Sequence, residues 1–443
     1  MTTSNPSQLS KILESLQLDK LGESTGFYIR QPRKITIEFL LVSFFQMLVD
    51  GRFSLRQWAS NISTLNGSLT SFQAVAKKLD FRQETFFQAL FQKALLNRLQ
   101  QKLNFEIHDI LKPFKRVLIE DSTCFKLSNA LFDFFPGPRL PHGRKAGGRL
   151  QLRIDLKAHR YEAIALRSYC QNDQTYAHDI LTSLEKNELV IRDLGYWSIP
   201  VFEKIIKKEV YFLSRLNLGV NVLCPVTQQR IDLVSFLKRQ ERQGIHQLDM
   251  PILLGENYRL PIRLIAIKLT NEQAQKRRRM AKAQRHKNST ITEDAIYLQS
   301  WNLFITNVNN SIWDIASVYH AYSLRWHIEI VFKCWKSKFH FTSFFKHCNG
   351  RNPVKPEIIL LLILIWIVLY FMPKFNSYAN AVWKKYRRIL SPLRFADFIH
   401  SHPQIYASQT ESNFIAILAY YSCYDKRKDR VNHFEKTYMN FLS

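Results

Sequence analysis

The sequence contains few cysteines, glycines and prolines, and these absences narrow the class of protein. Six cysteines among 443 residues include no Cys-x-x-Cys pair, which argues against a disulfide framework and against a closed zinc ribbon. The 13 glycines and 15 prolines are too few for a collagen-like or disordered chain. The polar N-terminal segment, MTTSNPSQLSKILESLQLDK, lacks the apolar core of a signal peptide, so we expect a cytoplasmic protein.

Acidic side chains are scarce relative to basic ones. The chain has 36 Asp and Glu residues against 63 Lys and Arg residues, a formal net charge of +27. A protein with this balance attracts polyanions, of which a nucleic-acid phosphate backbone is the commonest in a cell. An acidic protein partner or an anionic membrane surface fits the sign equally well. The charge therefore indicates a class of partner, and it does not indicate a reaction.

One segment is apolar enough to be mistaken for a membrane span. Ile358–Met372 reads IILLLILIWIVLYFM, with Glu357 before it and Pro373 after it. The run is shorter than the roughly 20 residues that a helix needs to cross a bilayer. We therefore interpret it as a helix that is buried in the protein core and closed by these two residues, and we expect no membrane partner.

The apolar patterns predict helices first and a mixed sheet afterwards. In ITIEFLLVSFFQMLVD and QETFFQALFQKALLNRLQ, apolar residues three and four apart predict helices within roughly the first 110 residues. From residue 116 short apolar or alternating runs appear, and an amphipathic helix is predicted over Ile199–Lys208. The predicted strands are Val117–Ile119, Leu150–Leu156, Tyr161–Tyr169, Leu189–Ile191 and Val210–Leu216. Strands in hairpin order, followed by strands alternating with helices, indicate a mixed α/β sheet.

Residues 218–306 break this order and are interpreted as an insertion. Within them, the basic run Lys276–Lys287 (KRRRMAKAQRHK) carries seven Lys or Arg residues and no acid. Such a run is either a solvated helix or loop, or an arm that binds a nucleic-acid backbone. Because the whole chain is basic, we favour the arm, with Lys276, Arg277 and Arg278 as DNA-binding residues.

Three acidic residues lie where a mixed α/β fold can build a site. Asp121 ends the segment VLIED and Asp193 ends LVIRD, each of which begins with three apolar residues, so each aspartate is predicted at the end of a buried strand. Open α/β folds bind ligands at the carboxyl ends of their parallel strands. An Asp at a strand end is more commonly a turn residue or a helix cap, so neither one is persuasive alone. Glu329 lies inside a helix predicted from about residue 312 to 338.

A stripe of polar residues follows one side of that helix. Tyr322, Arg325, Glu329 and Lys336, called the polar stripe below, fall within about 60° of one another on a helical projection. A helix that packs against a sheet ordinarily presents apolar residues on that face. The alternative is a solvated face on which Arg325 and Glu329 form an ion pair. The stripe therefore favours a functional site mainly in combination with the two aspartates.

These motifs together resemble a known family. The polar stripe reads Y-x2-R-x3-E-x6-K and resembles the YREK signature of bacterial insertion-sequence transposases with a DDE triad, in the insertion-sequence-four group. LIEDSTCFKL around Asp121 resembles the first acidic motif of that family, and VIRDLGYW around Asp193, followed by YFLSRL, resembles its second. The resemblance spans roughly residues 25–345, and four motifs in the same order are more specific than one.

The resemblance implies a fold and a reaction. It implies an RNase H-like core in which Asp121, Asp193 and Glu329 are the catalytic residues and bind two Mg²⁺ ions, which Mn²⁺ can replace. Carboxylate oxygens are the ligands that hard divalent cations prefer, and two such ions support in-line displacement at phosphorus. Water would cut each DNA strand, and the freed 3′-hydroxyl would then attack the target, so no side-chain nucleophile is required.

The resemblance also implies residues that hold DNA. Arg325 and Lys336 would bind phosphates, and Tyr322 would donate a hydrogen bond to one. Trp301 occupies a position where some relatives stack a tryptophan on a flipped base while they cut through a hairpin. An equal alternative for Trp301 is an ordinary strand residue that packs its sheet. The residues after Asp193 differ from the Asp-Arg-Glu pattern of some relatives, which leaves the hairpin route open.

The implied partners are double-stranded transposon ends and target DNA, bound by a homodimer, with no nucleotide cofactor. The predicted regions are 1–110, helical and DNA-binding or a helical cap on the core; 111–217, the first part of the RNase H-like core; 218–306, the mostly β insertion; 307–372, the second part of the core; and 373–443, helical and basic.

Two other functions remain open at this point. A two-metal nuclease such as a junction resolvase would share the three acids on the same core. A non-enzymatic DNA-binding protein would keep the basic surface, although the presence of all three acids and of the whole polar stripe disfavours a decayed enzyme.

Overall fold

The structure is a computed structural model. It describes residues 13–28, 34–50, 53–80, 83–99, 109–139, 143–158, 160–284, 292–345, 352, 354–402 and 412–424. The end of the basic run, 285–287, and the basic C-terminal residues after 424 lie outside these ranges.

A mixed nine-stranded sheet runs through the described residues in the order β3–β2–β1–β4–β5–β9–β8–β7–β6. Its strands are β1 (Val117–Lys126), β2 (Gly147–Asp155), β3 (Arg160–Ser168), β4 (Leu189–Arg192), β5 (Tyr211–Arg215), β6 (Val222–Leu223), β7 (Gln247–Leu254), β8 (Leu260–Lys268) and β9 (Trp301–Thr306). The first three strands are antiparallel, and β4 and β5 run parallel to β1. This order and direction are those of an RNase H-like core, which confirms the predicted fold class.

The described helices lie before, between and after these strands. They are α1 (Leu18–Ser24), α2 (Ile37–Asp50), α3 (Leu55–Asn66), α4 (Phe72–Ala76), α5 (Glu84–Leu99), α6 (Asp173–Tyr176), α7 (Ile199–Lys207), α8 (Leu233–Arg242), α9 (Asn271–Gln284), α10 (Glu293–Leu298), α11 (Ile315–Ser323), α12 (Trp326–Ser337), α13 (Phe341–Phe345), α14 (Val354–Trp366), α15 (Met372–Tyr386), α16 (Pro392–Ser401) and α17 (Ser412–Tyr421). A π-helical turn, Ile367–Phe371, joins α14 to α15.

Residues 218–306 extend the core sheet instead of forming a separate one. Strand β9 pairs antiparallel with β5 of the core, and β8, β7 and β6 follow outward. The described part of this region also contains three helices, α8, α9 and α10. The basic run is helical over its described residues, because it forms the second half of α9.

Strand β1 is longer than the sequence predicted. Its parallel ladder with β4 ends at the pair Glu120–Arg192, but its antiparallel ladder with β2 continues to Lys126. Asp121 therefore lies within β1, one residue beyond the end of the parallel ladder, and the prediction that it ends the strand is wrong. The reason is the long partner β2, whose extent the pattern of β1 alone does not reveal.

Alternate residues of the central strands pack against different helices. In β1, Val117 and Ile119 belong to a core cluster that includes α11, α12 and the long apolar helix, whereas Leu118 belongs to a second cluster with α7. Successive strand residues point to opposite faces of a sheet. The face that carries Val117 and Ile119 is called the α12 face below, and the other is called the α7 face.

The apolar run predicted as a core helix is buried, as expected. Val354–Tyr386 is long and apolar enough, among the described residues, to cross a membrane by length and composition, but 83% of its most apolar stretch is buried inside the protein. The helix also begins before Glu357 and continues past Pro373, so the prediction that these residues close it is wrong. Pro373 is tolerated because it lies in the first turn of α15, directly after the π-helical turn.

Truncation of a side chain in this helix should destabilise the protein strongly. Leu362 is fully buried, so we expect Leu362→Ala to lower the free energy of unfolding by about 2–5 kcal/mol. Leu69→Ala is the matched control, because Leu69 is 87% exposed and the same change there should have little effect. Urea denaturation followed by circular dichroism measures both, and equal shifts of the two midpoints would contradict the burial of the helix.

Candidate active site

Asp121 and Asp193 lie on neighbouring strands at the end of their shared ladder. The last paired residues of β1 and β4 are Glu120 and Arg192, and each aspartate is the next residue. Asp193 precedes a short 3-10 turn, Leu194–Tyr196, but its side chain makes no capping hydrogen bond there. The helix-cap alternative for Asp193 therefore does not apply in this structure. The Asp121 carboxylate accepts a hydrogen bond from its neighbour, the Ser122 backbone N–H, at 2.7 Å.

One guanidinium joins the three candidate acids. Arg325 Nη1 lies 3.2 Å from Asp121 Oδ2, and Arg325 Nε lies 3.9 Å from Asp193 Oδ1. Arg325 Nη2 donates a hydrogen bond to Glu329 Oε1, four residues further along the chain. The structure thus brings together carboxylates from β1, from the end of β4 and from α12, around a single cation.

The other two members of the polar stripe also face β1 and β4. Tyr322 Oη donates a hydrogen bond to Asp193 Oδ1 at 3.2 Å, and Lys336 Nζ donates one to the Cys124 carbonyl at 3.0 Å. The helix predicted from 312 to 338 is divided into α11 and α12. Arg325, between them, keeps helical backbone angles of φ −55° and ψ −29°, so the stripe stays on one side.

Burial and like charges shape the electrostatics of the site. Burial raises the pKa of Asp121 from 3.8 to about 7; Arg325 opposes this shift, and Asp193 and Glu329 add to it. Burial and the neighbouring Asp193 also raise the pKa of the Tyr322 phenol. Although burial acts to lower it, the pKa of Arg325 is raised by Asp193, Tyr322 and the other two acids. Arg325 therefore stays charged, and the Asp121 carboxyl takes up a proton near neutral pH.

The donor set suits a hard divalent cation. Three carboxyl groups surround one guanidinium, and carboxylate oxygens are the ligands that such cations prefer. The described residues contain no group of three His, Cys, Asp or Glu side chains close enough together to hold a metal ion.

The basic run contributes one residue near the site. Arg277 Nη2 donates a hydrogen bond to Asn302 Oδ1 at 2.7 Å. Burial and the nearby Arg215 lower the pKa of Arg277 to about 10, whereas the nearby Tyr322 raises it. Arg215 and Arg277 therefore lie near the Tyr322 phenol, in addition to Arg325.

The other two residues of the run that we predicted to bind DNA do not share this position. Arg278 donates a hydrogen bond to Ser300 Oγ, and the Lys276 side chain is exposed.

Sequence reasoning missed Arg215. It ends β5, the strand next to β4, and it follows the buried residues Phe212, Leu213 and Ser214. Asp193 was singled out because a charged residue at the carboxyl end of an apolar parallel strand lies where such folds build their sites. The same criterion applies to Arg215.

The structure does not bring Trp301 to the acids. Trp301 is 1% exposed and packs with Leu303 and Ile305 in the cluster of the α7 face. Phe304, three residues further along β9, points to the α12 face, and the centre of its ring lies 5.0 Å from the centre of the Tyr322 ring. In this conformation Trp301 acts as a packing residue of β9, and its stacking on a flipped base stays a prediction.

Comparison with known proteins gives a consistent result. Residues 112–367 match a family described as Transposase DDE domain. The transposase for insertion sequence element IS231F of Bacillus thuringiensis subsp. israelensis is 27% identical over 358 residues, which are 77% of this chain and 74% of that protein. The transposase for insertion sequence element IS1151 of Clostridium perfringens is 26% identical over 345 residues, 73% of this chain and 71% of that protein.

A solved structure also aligns with the chain. The piggyBac transposase synaptic complex with hairpin DNA covers 96% of this chain and 89% of its own, at 10% identity and a TM-score of 0.42. A similarity of this size is too low to bear on the site or on the reaction.

The raised pKa of Asp121 should appear in the stability of the metal-free protein. A folded-state pKa of about 7 adds stability that is complete below the unfolded value, 3.8, and is lost as the pH rises through 7. Asp121→Asn removes this loss. We therefore expect the difference in melting temperature, Asp121→Asn minus wild type, to increase between pH 5 and pH 7 and to level off above pH 8. Calorimetry in the presence of a metal chelator measures this difference.

The control is Asp179→Asn, because Asp179 forms a half-exposed ion pair with Arg167 at 3.6 Å. Such pairs contribute about 0–1 kcal/mol, so this variant should follow the wild-type pH profile. A constant difference between Asp121→Asn and wild type at every pH would contradict the raised pKa.

Proposed function

The chain belongs to the family of transposases with a DDE domain and is a DNA transposase of the bacterial insertion-sequence type, and from this premise we propose that Asp121, Asp193 and Glu329 form its catalytic site. The observation that carries the proposal is the convergence of these three carboxylates on the Arg325 guanidinium. The junction resolvase and the non-enzymatic binder are not favoured, because the matched family and relatives are transposases.

The three acids are proposed to hold two Mg²⁺ ions, for which Mn²⁺ can substitute. When bound, such ions activate the attacking oxygen and stabilise the leaving oxygen of an in-line displacement at phosphorus. Asp121 is buried enough to keep a proton near neutral pH, so it must lose that proton when it binds a cation. Asp193 and Glu329 are proposed to complete the ligand set.

The remaining side chains of the polar stripe are proposed to bind the DNA backbone. Arg325 neutralises the acids in the absence of other cations, and in the DNA complex we expect its guanidinium to turn to a phosphate. Tyr322 and Lys336 each lie about two helical turns from Glu329, on opposite sides of it along the chain, and are proposed to contact phosphates of the same DNA strand. Arg277, with Arg215 beside it, carries positive charge to the same side of the sheet.

The proposed substrates are the terminal inverted repeats of an insertion sequence and a double-stranded target. Water would cut at the ends, and the freed 3′-hydroxyls would join the target. Two copies of the chain are proposed to pair the two ends, since both must be cut and joined together. Membership of the insertion-sequence-four group, a DNA-contacting role for Lys276 and Arg278, cutting through a hairpin, and a cytoplasmic location stay predictions.

Replacement of any of the three acids by its amide should abolish cleavage. We expect Asp193→Asn to reduce cutting of a duplex that carries the inverted repeats flanking its reading frame by roughly four orders of magnitude, because the acids act as a unit. Binding of the duplex in a mobility-shift assay should be largely unchanged. Asp179→Asn, the same chemical change outside the site, should cut normally.

A strand-transfer assay separates the transposase from a resolvase. Wild-type protein given pre-cut ends should join them to a plasmid target, which a resolvase does not do. Cleavage by Asp193→Asn at the wild-type rate would show that the site assignment is wrong.

Lys336 should contribute one phosphate contact. We expect Lys336→Gln to weaken binding of the end duplex and to reduce the slope of log affinity against log salt by about 0.9. Lys186→Gln is the control, because Lys186 is 60% exposed and pairs with Glu209 on the surface. Titrations at several salt concentrations by fluorescence anisotropy measure both slopes, and equal slopes for Lys336→Gln and wild type would exclude the contact.

A further inference from the structure

A row of three charged side chains crosses the sheet one residue before the two candidate aspartates. Arg153 of β2, Glu120 of β1 and Arg192 of β4 are paired in register on three adjacent strands. Glu120 Oε1 accepts a hydrogen bond from Arg153 Nε at 2.8 Å, and Glu120 Oε2 accepts one from Arg192 Nε at 2.8 Å. One carboxylate therefore ties two neighbouring strands to β1.

This row is buried on the α7 face, which is opposite to the face that carries the side chains of Asp121 and Asp193. The side chains of Arg153, Glu120 and Arg192 are 6%, 2% and 1% exposed. Arg192 Nη2 also donates to the Ala177 carbonyl at 2.9 Å, and its guanidinium lies 5.7 Å from the centre of the Tyr196 ring. Buried ion pairs of this kind are commonly no more stabilising than apolar residues of the same size, so stability alone does not explain them.

The position of the row relative to the acids is specific. Arg192 is the last residue of β4 that pairs on either side, with Glu120 in β1 and with Ser214 in β5. The next residue is Asp193, after which the chain enters the 3-10 turn. Because Asp121 follows Glu120 in the same way, the Glu120–Arg192 bond joins the two strands at the residues just before the two aspartates.

We propose that Glu120 and Arg192 are positioning residues that set the separation of Asp121 and Asp193, and so the affinity of the site for divalent cations. They act through the backbone, since their side chains lie on the opposite face from the carboxylates. Residues that orient metal ligands typically change metal affinity by about 10–100-fold when they are removed. The inference rests on the proposed function, in which both aspartates bind metal.

Arg153 provides an internal control. Like Arg192, it is buried and forms an ion pair with the Glu120 carboxylate. Its strand, β2, however, carries none of the three acids. Arg192→Met and Arg153→Met each leave Glu120 with one arginine. If the row served stability alone, the two changes would have the same consequences.

The test measures Mn²⁺ binding to the full-length protein by electron paramagnetic resonance of the free ion, together with melting temperature. We expect Arg192→Met to weaken Mn²⁺ binding at least tenfold and to raise the Mn²⁺ concentration needed for half-maximal cleavage of the end duplex. Arg153→Met should stay within about twofold of wild type in both, although both variants melt earlier. Arg192→Lys, which keeps the charge but not the paired donors, should be intermediate.

Equal effects of Arg192→Met and Arg153→Met on Mn²⁺ binding, or no effect of either, would overturn the inference. If the methionine variants do not fold, Arg192→Lys against Arg153→Lys decides it by the same readouts. Failure of the proposed function has a different signature: wild-type protein would then bind Mn²⁺ no better than Asp193→Asn, which overturns the inference as well.

Discussion

The candidate site depends on one guanidinium that three carboxyl groups share. Carboxylates of Asp121, Asp193 and Glu329 repel one another at short range, and Asp121 is also largely removed from water. Arg325 contacts all three and stays charged under any ordinary condition. Because the arginine and the glutamate come from the polar stripe and the aspartates from the sheet, this interaction requires α11 and α12 to lie against β1 and β4.

The two faces of the sheet contribute different residues to the surroundings of the acids. On the α12 face, apolar residues of the strands pack against the long buried helix and its neighbours, and the acids lie at the margin of this core. On the α7 face, the Arg153–Glu120–Arg192 row ties three strands together beside the same acids. The alternation of a β-strand allows consecutive residues, such as Glu120 and Asp121, to serve the two faces separately.

The excess of positive charge suits a protein that handles DNA. Several acidic side chains form ion pairs with arginines inside the protein; examples are Glu120, Asp121 and Glu188. In contrast, Lys276 and Arg279 are exposed on α9, and Arg277 reaches the neighbourhood of Tyr322 from the same helix. The region that looks like an insertion in the sequence therefore brings one basic side chain, Arg277, towards Tyr322, because β9 lies directly beside β5.

Local patterns in the sequence determined the mixed α/β class, the buried apolar helix and the motifs that mark a transposase, since periodicity and the order of motifs need no knowledge of distant contacts. Only the tertiary structure decided that β1 continues past Asp121, that Trp301 points to the α7 face, that Arg215 lies near Arg277, and that Glu120 pairs with two arginines. Each of these depends on which strands become neighbours and in which register. That register is set by how segments far apart in the chain bury their apolar faces together.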